Sequence, residues 1–143
     1  MIRVVLDTNI VVSAMLRSGG FPEAIFNLAV DRVIQFYISE PVMAEYEEVL
    51  RRPRLDIHPD KVANALRRIR ESAVLVTPTA VVTAAHDPDD NIFLECAEAA
   101  EAEYLVTGNQ RDFPEMWATA RIVTPRQFLE VIADAKGSGD PAA

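Results

Sequence analysis

Apolar positions along the chain fall into short continuous runs separated by longer stretches with helical spacing. The runs predict strands at residues 4–6, 33–38, 74–76, 104–106 and 121–123. The stretches between them predict helices over about 9–16, 21–30, 40–50, 60–70 and 87–100, with a last helix from 125. Because strands and helices alternate, we expect an α/β fold in which a parallel sheet is covered by helices on both faces.

Helix-start signals support these boundaries. Ser39 is placed to cap the third helix. Thr124, Pro125 and Gln127 have the spacing of a capping box with proline in the first turn. We expect one domain over residues 1–135, followed by a disordered tail over 136–143 that has no core-forming residue.

Polar side chains follow two of the predicted strands. Asp7 ends the first apolar run, and Asn109 follows Leu105-Val106-Thr107-Gly108, with Asp112 in the same loop. Open parallel sheets bind ligands at the carboxyl ends of their strands, so these residues are candidates for a site. An N-cap role for Asp7 and an ordinary turn role for Asn109 are the competing interpretations.

Helical geometry selects two further acids. Glu45 lies at the edge of the apolar stripe of its helix, whereas Glu47 and Glu48 project away from it. Asp90 shares a face with Phe93 and Leu94, so it is predicted to point inward from a helix start. Its neighbours Asp87 and Asp89 are better explained as caps, since acids favour the positive end of a helix dipole.

Carboxylates brought close together repel one another and raise each other's pKa, a conflict that a divalent cation removes. Oxygen ligands without a cysteine or histidine cluster indicate Mg²⁺ or Mn²⁺ rather than zinc. Such a site suits phosphodiester hydrolysis. His58 and His86 are interpreted as loop residues.

Charge and cysteine content narrow the possible functions. The net charge of −8 argues against broad nonspecific nucleic-acid binding, yet half of the fourteen basic residues lie between Arg51 and Arg70. Either a solvated helix face or a phosphate-contacting patch explains this segment. The lone Cys96 is interpreted as a packing residue and fits a reducing cytoplasm. We expect neither a signal peptide nor a membrane span.

Four motifs in order resemble the PIN domain family, in particular its PilT-like branch of toxin–antitoxin ribonucleases. The resemblance extends from about Ile2 to about Ile132. It is carried by the segments Val-Val-Leu-Asp7-Thr-Asn, Ser-Glu-Pro-Val-Met-Ala-Glu45, Asp-Pro-Asp-Asp90-Asn and Tyr-Leu-Val-Thr-Gly-Asn109.

The resemblance implies a three-layer α/β/α sandwich with Mg²⁺- or Mn²⁺-dependent cleavage of RNA. It implies Asp7, Glu45 and Asp90 as acidic ligands, with Asn9 and Thr107 supporting them. Many members have aspartate at Asn109, so this chain has one charge fewer, for which Asp112 could compensate. It also implies a homodimer or higher oligomer and an antitoxin partner.

Two other classes compete with a nuclease. A PIN scaffold that binds RNA or a protein without cutting is supported by Asn109 and opposed by the other three acids. A phosphatase or receiver domain built on Asp7 would need a second aspartate where Asn9 stands, or a lysine late in the sheet, and the only lysines are Lys61 and Lys136. The sequence therefore favours the nuclease.

Overall fold

The computed structural model describes residues 1–137, which contain six helices and six strands. The strands are β1 (Arg3–Leu6), β2 (Gln35–Ile38), β3 (Val74–Leu75), β4 (Tyr104–Val106), β5 (Met116–Trp117) and β6 (Ala120–Val123). The helices are α1 (Thr8–Leu16), α2 (Phe21–Val30), α3 (Glu40–Leu50), α4 (Pro59–Ser72), α5 (Asn91–Ala100) and α6 (Pro125–Gly137). Short 3₁₀ turns occupy Pro53–Leu55, Pro88–Asp90 and Gln110–Asp112.

The strands form one sheet in the order β3-β2-β1-β4-β6-β5. Every neighbouring pair is parallel except β5 and β6, which are antiparallel. Leu6 at the end of β1 is in register with Val106 at the end of β4. The carboxyl ends of the two central strands therefore meet at one edge of the sheet.

Helices cover both faces of the sheet, as the sequence predicts. The connections β1 to β2 and β2 to β3 step one way across the sheet, and the connection β3 to β4 steps back. Right-handed crossovers in opposite directions place their helices on opposite faces. Accordingly, α5 packs against β1, β2 and β4, whereas α2 packs against β2, and α6 packs against β4, β6 and α2. The α/β/α architecture is confirmed.

The core consists of strand and helix residues that the apolar runs identified. Val4, Val5 and Leu6 are fully buried in the centre of the sheet, and Phe36 and Phe93 are buried on neighbouring elements. Cys96 is also buried, and burial raises the pKa of its thiol to about 12, as suits a packing residue. No helix within residues 1–137 has the length and apolar character needed to cross a bilayer.

Predicted and observed elements differ most in three places, and most other boundaries agree to within one or two residues. β2 begins at Gln35 rather than Val33, because Val33 and Ile34 donate their N–H groups to the Leu28 carbonyl and so close α2. The helix predicted from Asp87 begins with a 3₁₀ turn and becomes α-helical only at Asn91. The short strand β5 was not predicted.

The predicted helix starts are present. Ser39 Oγ accepts a hydrogen bond from Val42 N at 3.2 Å. Thr124 and Gln127 exchange two hydrogen bonds of 3.0 and 3.2 Å, which complete the capping box. Helix α6 continues to Gly137, and the rest of the predicted tail, 138–143, lies outside the described residues. The domain boundary at 135 stays a prediction.

Candidate functional site

The site is built around Asp7, the first residue after β1. Because Leu6 and Val106 are in register, the residues that follow them, Asp7 and Thr107, are neighbours. Asp7 N donates to the Val106 carbonyl at 2.9 Å, and Thr107 Oγ1 donates to Asp7 Oδ2 at 2.7 Å. The Asp7 side chain makes no capping bond to α1, although it occupies the N-cap position. Thr107, the residue after β4, therefore holds the Asp7 carboxylate.

The loop after β4 is tied to the start of α1 by two further hydrogen bonds. Thr107 Oγ1 accepts from Asn109 N at 3.0 Å, and Asn9 Oδ1 accepts from Gly108 N at 3.1 Å. A Cβ on Gly108 would stand 3.6 Å from the Asn9 amide oxygen, so the loop runs close to that side chain. Asn9 and Thr107 thus hold the loop against Asp7.

Glu45 is the one acid of its group that faces Asp7. Its Oε2 accepts a hydrogen bond from Thr8 Oγ1 at 2.6 Å. Glu47 and Glu48 are exposed and pair with Arg51 and Arg52, one turn further along the chain. The orientation predicted from the apolar stripe of α3 is therefore the one observed.

The acids before α5 also differ in what their side chains contact and in how far they are exposed. Asp87 caps the 3₁₀ turn by accepting from Asp89 N at 3.0 Å, and Asp89 itself is exposed. Asp90 makes no capping bond and is partly buried. Capping accounts for Asp87 but not for Asp90.

These segments meet in a cavity of about 370 Å³ at the carboxyl edge of the sheet. Six of the seven residues singled out from the sequence line it, namely Asp7, Asn9, Glu45, Asp90, Asn109 and Asp112. The seventh, Thr107, is fully buried behind Asp7. The arrangement that would have refuted a shared site, with Glu45 on the far side of the molecule, is not found.

The cavity also includes residues that the sequence did not single out for it. Asp87 lines it in addition to its capping role, and Arg54 lines it from the turn after α3. The remaining lining residues are Thr8, Val12, Ser13, Val49 and Leu55. The only sequence signal for Arg54 was its place in the basic segment between Arg51 and Arg70. That signal did not indicate where in the fold its side chain would lie.

Burial and crowding raise the pKa of two cavity acids. The pKa of Asp7 rises from 3.8 to about 6, chiefly because burial removes water from its carboxylate, while the hydrogen bond from Thr107 opposes the rise. The pKa of Asp90 rises to about 7, again through burial first and then through the charge of Asp7 and the other nearby acids. These carboxylates resist ionising together at neutral pH.

An oxygen-binding divalent cation fits this donor set. Within residues 1–137, no three acidic, histidine or cysteine side chains form a preassembled metal cage. Mg²⁺ does not need one, since it usually binds one or two carboxylates and keeps several waters. A cavity lined by five carboxyl groups, two asparagine amides and no histidine or cysteine offers the ligands that Mg²⁺ and Mn²⁺ prefer.

A larger cavity, of about 620 Å³, lies on the other side of the loop after β4, between β6 and α6. Its charged residues are Arg111, Arg121, Glu115, Glu130 and Asp134, so both signs of charge are present. Size alone would favour this larger cavity as the functional site. The chemistry favours the smaller cavity, where buried acids from distant segments converge.

The chain is similar to known proteins along most of its length. A family model described as "PIN domain" matches residues 3–111. The uncharacterized protein MJ1680 of Methanocaldococcus jannaschii is 26% identical over 141 residues, with 90% of each chain covered. A chain from the crystal structure of VapBC2 of Rickettsia felis, bound to a DNA fragment from its promoter, superposes with a TM-score of 0.56 at 18% identity. That comparison covers 85% of this chain and 98% of the other, and at such identity it concerns the fold.

The sheet order, the acidic cavity and the family match agree with one another. The matched region includes β1, α3, the turn before α5 and the loop after β4, which are the segments that supply the cavity acids except Asp112. The match covers well over half of the chain. The chain therefore belongs to the PIN domain family, whose members are generally nucleases.

Proposed function

We propose that this protein is a Mg²⁺- or Mn²⁺-dependent endoribonuclease that hydrolyses RNA phosphodiester bonds. One observation carries the proposal: acids from four separate segments, represented by Asp7, Glu45, Asp90 and Asp112, line one cavity at the carboxyl edge of the sheet. Such a cluster repels a polyanion by itself. A bound divalent cation would relieve the repulsion and make the cavity accept phosphate.

In this proposal Asp7, Glu45 and Asp90 hold the cation, and the Asn109 carbonyl oxygen or Asp112 completes the set. The cation would supply activation of water and neutralisation of the charge that develops on the phosphate. Thr107 fixes the Asp7 carboxylate, and Thr8 fixes that of Glu45, through their hydroxyl hydrogen bonds. Such preorganisation keeps the ligand oxygens in place before the substrate arrives.

A cleavage assay with matched variants tests the proposal. Purified protein with Mn²⁺ should cut a labelled single-stranded RNA internally, and EDTA should stop the reaction. Asp7→Asn should lower the rate by at least about a hundredfold, an effect typical of losing a metal-binding or electrostatic group. Asp89→Asn removes one charge from an exposed neighbouring acid and should leave the rate within about twofold.

A DNA strand of the same sequence separates the two nucleic acids as substrates. The proposal predicts faster cleavage of the RNA. Equal rates on both strands would make the protein a general nuclease, and no cleavage of either strand by the wild-type protein would contradict an enzymatic role.

We further propose that the protein acts in the cytoplasm as the toxin of a toxin–antitoxin pair and that it forms a homo-oligomer. The fold it shares with a chain of the VapBC2 complex supports the first part. Induced expression should arrest growth, and Asp7→Asn should relieve the arrest. Light scattering of the purified protein gives its oligomeric state, and a monomer would contradict that part.

The second candidate is a PIN scaffold that binds RNA or a protein partner without cutting. Asn109 favours it because the cavity has one carboxylate fewer there, and so does the lack of a preassembled cage among residues 1–137. Asn109→Asp discriminates between the two. An enzyme limited by metal binding should bind Mn²⁺ more tightly when one ligand charge is added. A scaffold should remain inactive with the added acid.

A further inference from the structure

The basic segment between Arg51 and Arg70 does not form a free cationic surface. Six of its seven basic side chains are engaged by groups of the protein itself. The ion pairs are Arg51–Glu47, Arg52–Glu48, Arg67–Glu71, Arg68–Asp31 and Arg70–Glu40, and Lys61 Nζ donates to the Met15 carbonyl. Of the two interpretations open from the sequence, an internally paired helix face therefore describes these six residues.

Arg54 is the exception in that segment. Among residues 1–137 it has no hydrogen-bond partner and no carboxylate within 4.0 Å of its guanidinium group. It is nevertheless a lining residue of the acidic cavity. An arginine beside five carboxyl groups ordinarily pairs with one of them, so the absence of a pair leaves its donors available to a ligand.

The backbone that carries Arg54 is well defined. Pro53 begins a 3₁₀ turn in which Leu55 N donates to the Arg52 carbonyl at 3.1 Å and Asp56 N donates to the Pro53 carbonyl at 3.0 Å. Asp56 then adopts the left-handed conformation, with φ of 52°, and turns the chain away. The turn therefore fixes where the arginine side chain begins.

The cavity wall near this turn differs from the acidic part. Leu55 from the same turn, Val49 from α3 and Val12 from α1 supply apolar surface. A cavity of about 370 Å³ lies near the lower end of the range for small-molecule sites. Carboxylates, apolar side chains and one unpaired guanidinium suit a nucleotide unit, which presents phosphate, sugar and base together.

We propose that Arg54 binds a phosphate of the RNA backbone next to the one that is cleaved. Arginine always carries its charge in proteins, and its planar fork matches two phosphate oxygens. The inference rests on the proposed function, because it assigns the cavity an RNA substrate. It makes Arg54 a substrate-binding residue that orients the strand, with no part in the bond that breaks.

The test compares Arg54→Gln with Arg52→Gln, which removes the same charge two residues away from an arginine paired with Glu48. Both residues are exposed, so both variants should fold. Binding of labelled single-stranded RNA is measured with Mn²⁺ in the cleavage-deficient Asp7→Asn background, over a range of salt concentrations. Cleavage is measured with Asp7 intact.

Arg54→Gln should weaken binding severalfold for unrelated sequences and flatten the plot of log affinity against log salt by about 0.7, the value for one phosphate contact on a single strand. It should raise KM and leave kcat within about twofold. Arg52→Gln should change neither quantity by more than about twofold.

Three results would contradict the inference in different ways. Equal behaviour of the two variants, with wild-type protein still cutting RNA, overturns the role of Arg54 and leaves the nuclease in place. A fall in kcat with KM unchanged would mean that Arg54 acts on the reacting phosphate instead. A wild-type protein that neither binds nor cuts RNA with Mn²⁺ overturns the proposed function and this inference together.

Discussion

At the scale of a single residue, burial disfavours the charged form of Asp7, and a hydrogen bond favours it. It is only 6% exposed, and a charged carboxylate loses the solvation of water at such a position. The hydrogen bond from Thr107 returns part of that solvation. The pKa of about 6 is the balance of burial, the hydrogen bonds from Thr107 and from the Thr8 backbone, and the charges of Glu45 and Asp112.

The first prediction concerns pH in the absence of divalent cations. The pKa values of Asp7 and Asp90 are raised in the folded protein, to about 6 and about 7, above the ordinary value of 3.8. Between about pH 4 and pH 7 the folded state therefore holds protons that the unfolded chain has released, and stability falls as pH rises. Urea unfolding in EDTA should show this decline, with the contribution of the two acids largest below about pH 4.

Asp7→Asn supplies the control for that decline. It should stabilise the cation-free protein at pH 8 by about 3 kcal/mol, since the pKa of Asp7 is raised from 3.8 to about 6 and each unit of pKa difference corresponds to about 1.4 kcal/mol. Near pH 4, where Asp7 is protonated, the difference should nearly vanish. Asp89→Asn, at an exposed position, should leave the pH profile unchanged. A wild-type protein equally stable at pH 4 and pH 8 would contradict the prediction.

The second prediction concerns Thr107, whose hydroxyl both donates to Asp7 and accepts from Asn109 N. Thr107→Val keeps the shape and removes both hydrogen bonds in a fully buried position. We expect a loss of about 1–3 kcal/mol in unfolding free energy, together with weaker Mn²⁺ binding. Thr119→Val removes a hydroxyl bond to the Ala102 carbonyl away from the cavity and should leave Mn²⁺ affinity unchanged.

At the level of elements, α6 depends on its capping box and lies away from the acids. It packs against α2, β4 and β6. Thr124→Ala removes the bond accepted from Gln127 N and should cost about 1 kcal/mol of unfolding free energy. The cleavage rate should be unchanged. Thr79→Ala, at an exposed position without a hydrogen-bond partner among residues 1–137, is the matched control, and equal stability of both variants would contradict the capping role.

Elements with strong local signals were predictable from the sequence. The helix over Phe21–Val30 and the strand over Tyr104–Val106 were predicted with the bounds they have. The two-residue strand β5 has no periodic pattern of its own and forms by pairing with β6. Val33 is apolar but 51% exposed, because its N–H closes α2 instead of joining the sheet.

The residues of the candidate site also divide into those with a local sequence signal, which could be predicted, and those without one. Asp7 and Glu45 could be selected because a strand end and a helix face determine their directions. Arg54 could not be selected in this way. Its place in the cavity depends on a 3₁₀ turn, and its lack of a partner depends on which neighbouring basic residues form ion pairs with other acids. Asp87 could be recognised as a cap, but its second position on the cavity wall appears only in three dimensions.

For the molecule as a whole, the fourth prediction is that Mn²⁺ or Mg²⁺ stabilises the fold. The net charge is −8, and the cavity concentrates five carboxyl groups. A cation that binds only the folded state at a hundred times its Kd adds about 2.7 kcal/mol. Thermal unfolding should therefore move to higher temperature with Mn²⁺ for the wild-type protein and for Asp89→Asn, but little for Asp90→Asn. A uniform response of all three proteins would indicate nonspecific binding.

The register that places Thr107 beside Asp7 joins residues one hundred positions apart. During translation, Asp7 leaves the ribosome long before the strand that completes its surroundings. A nascent chain that stops short of β4 has neither the hydroxyl that holds this carboxylate nor the loop that carries Asn109. If the protein is toxic to the cell that makes it, the fold itself delays the toxic activity until β4 and the loop after it have been synthesised.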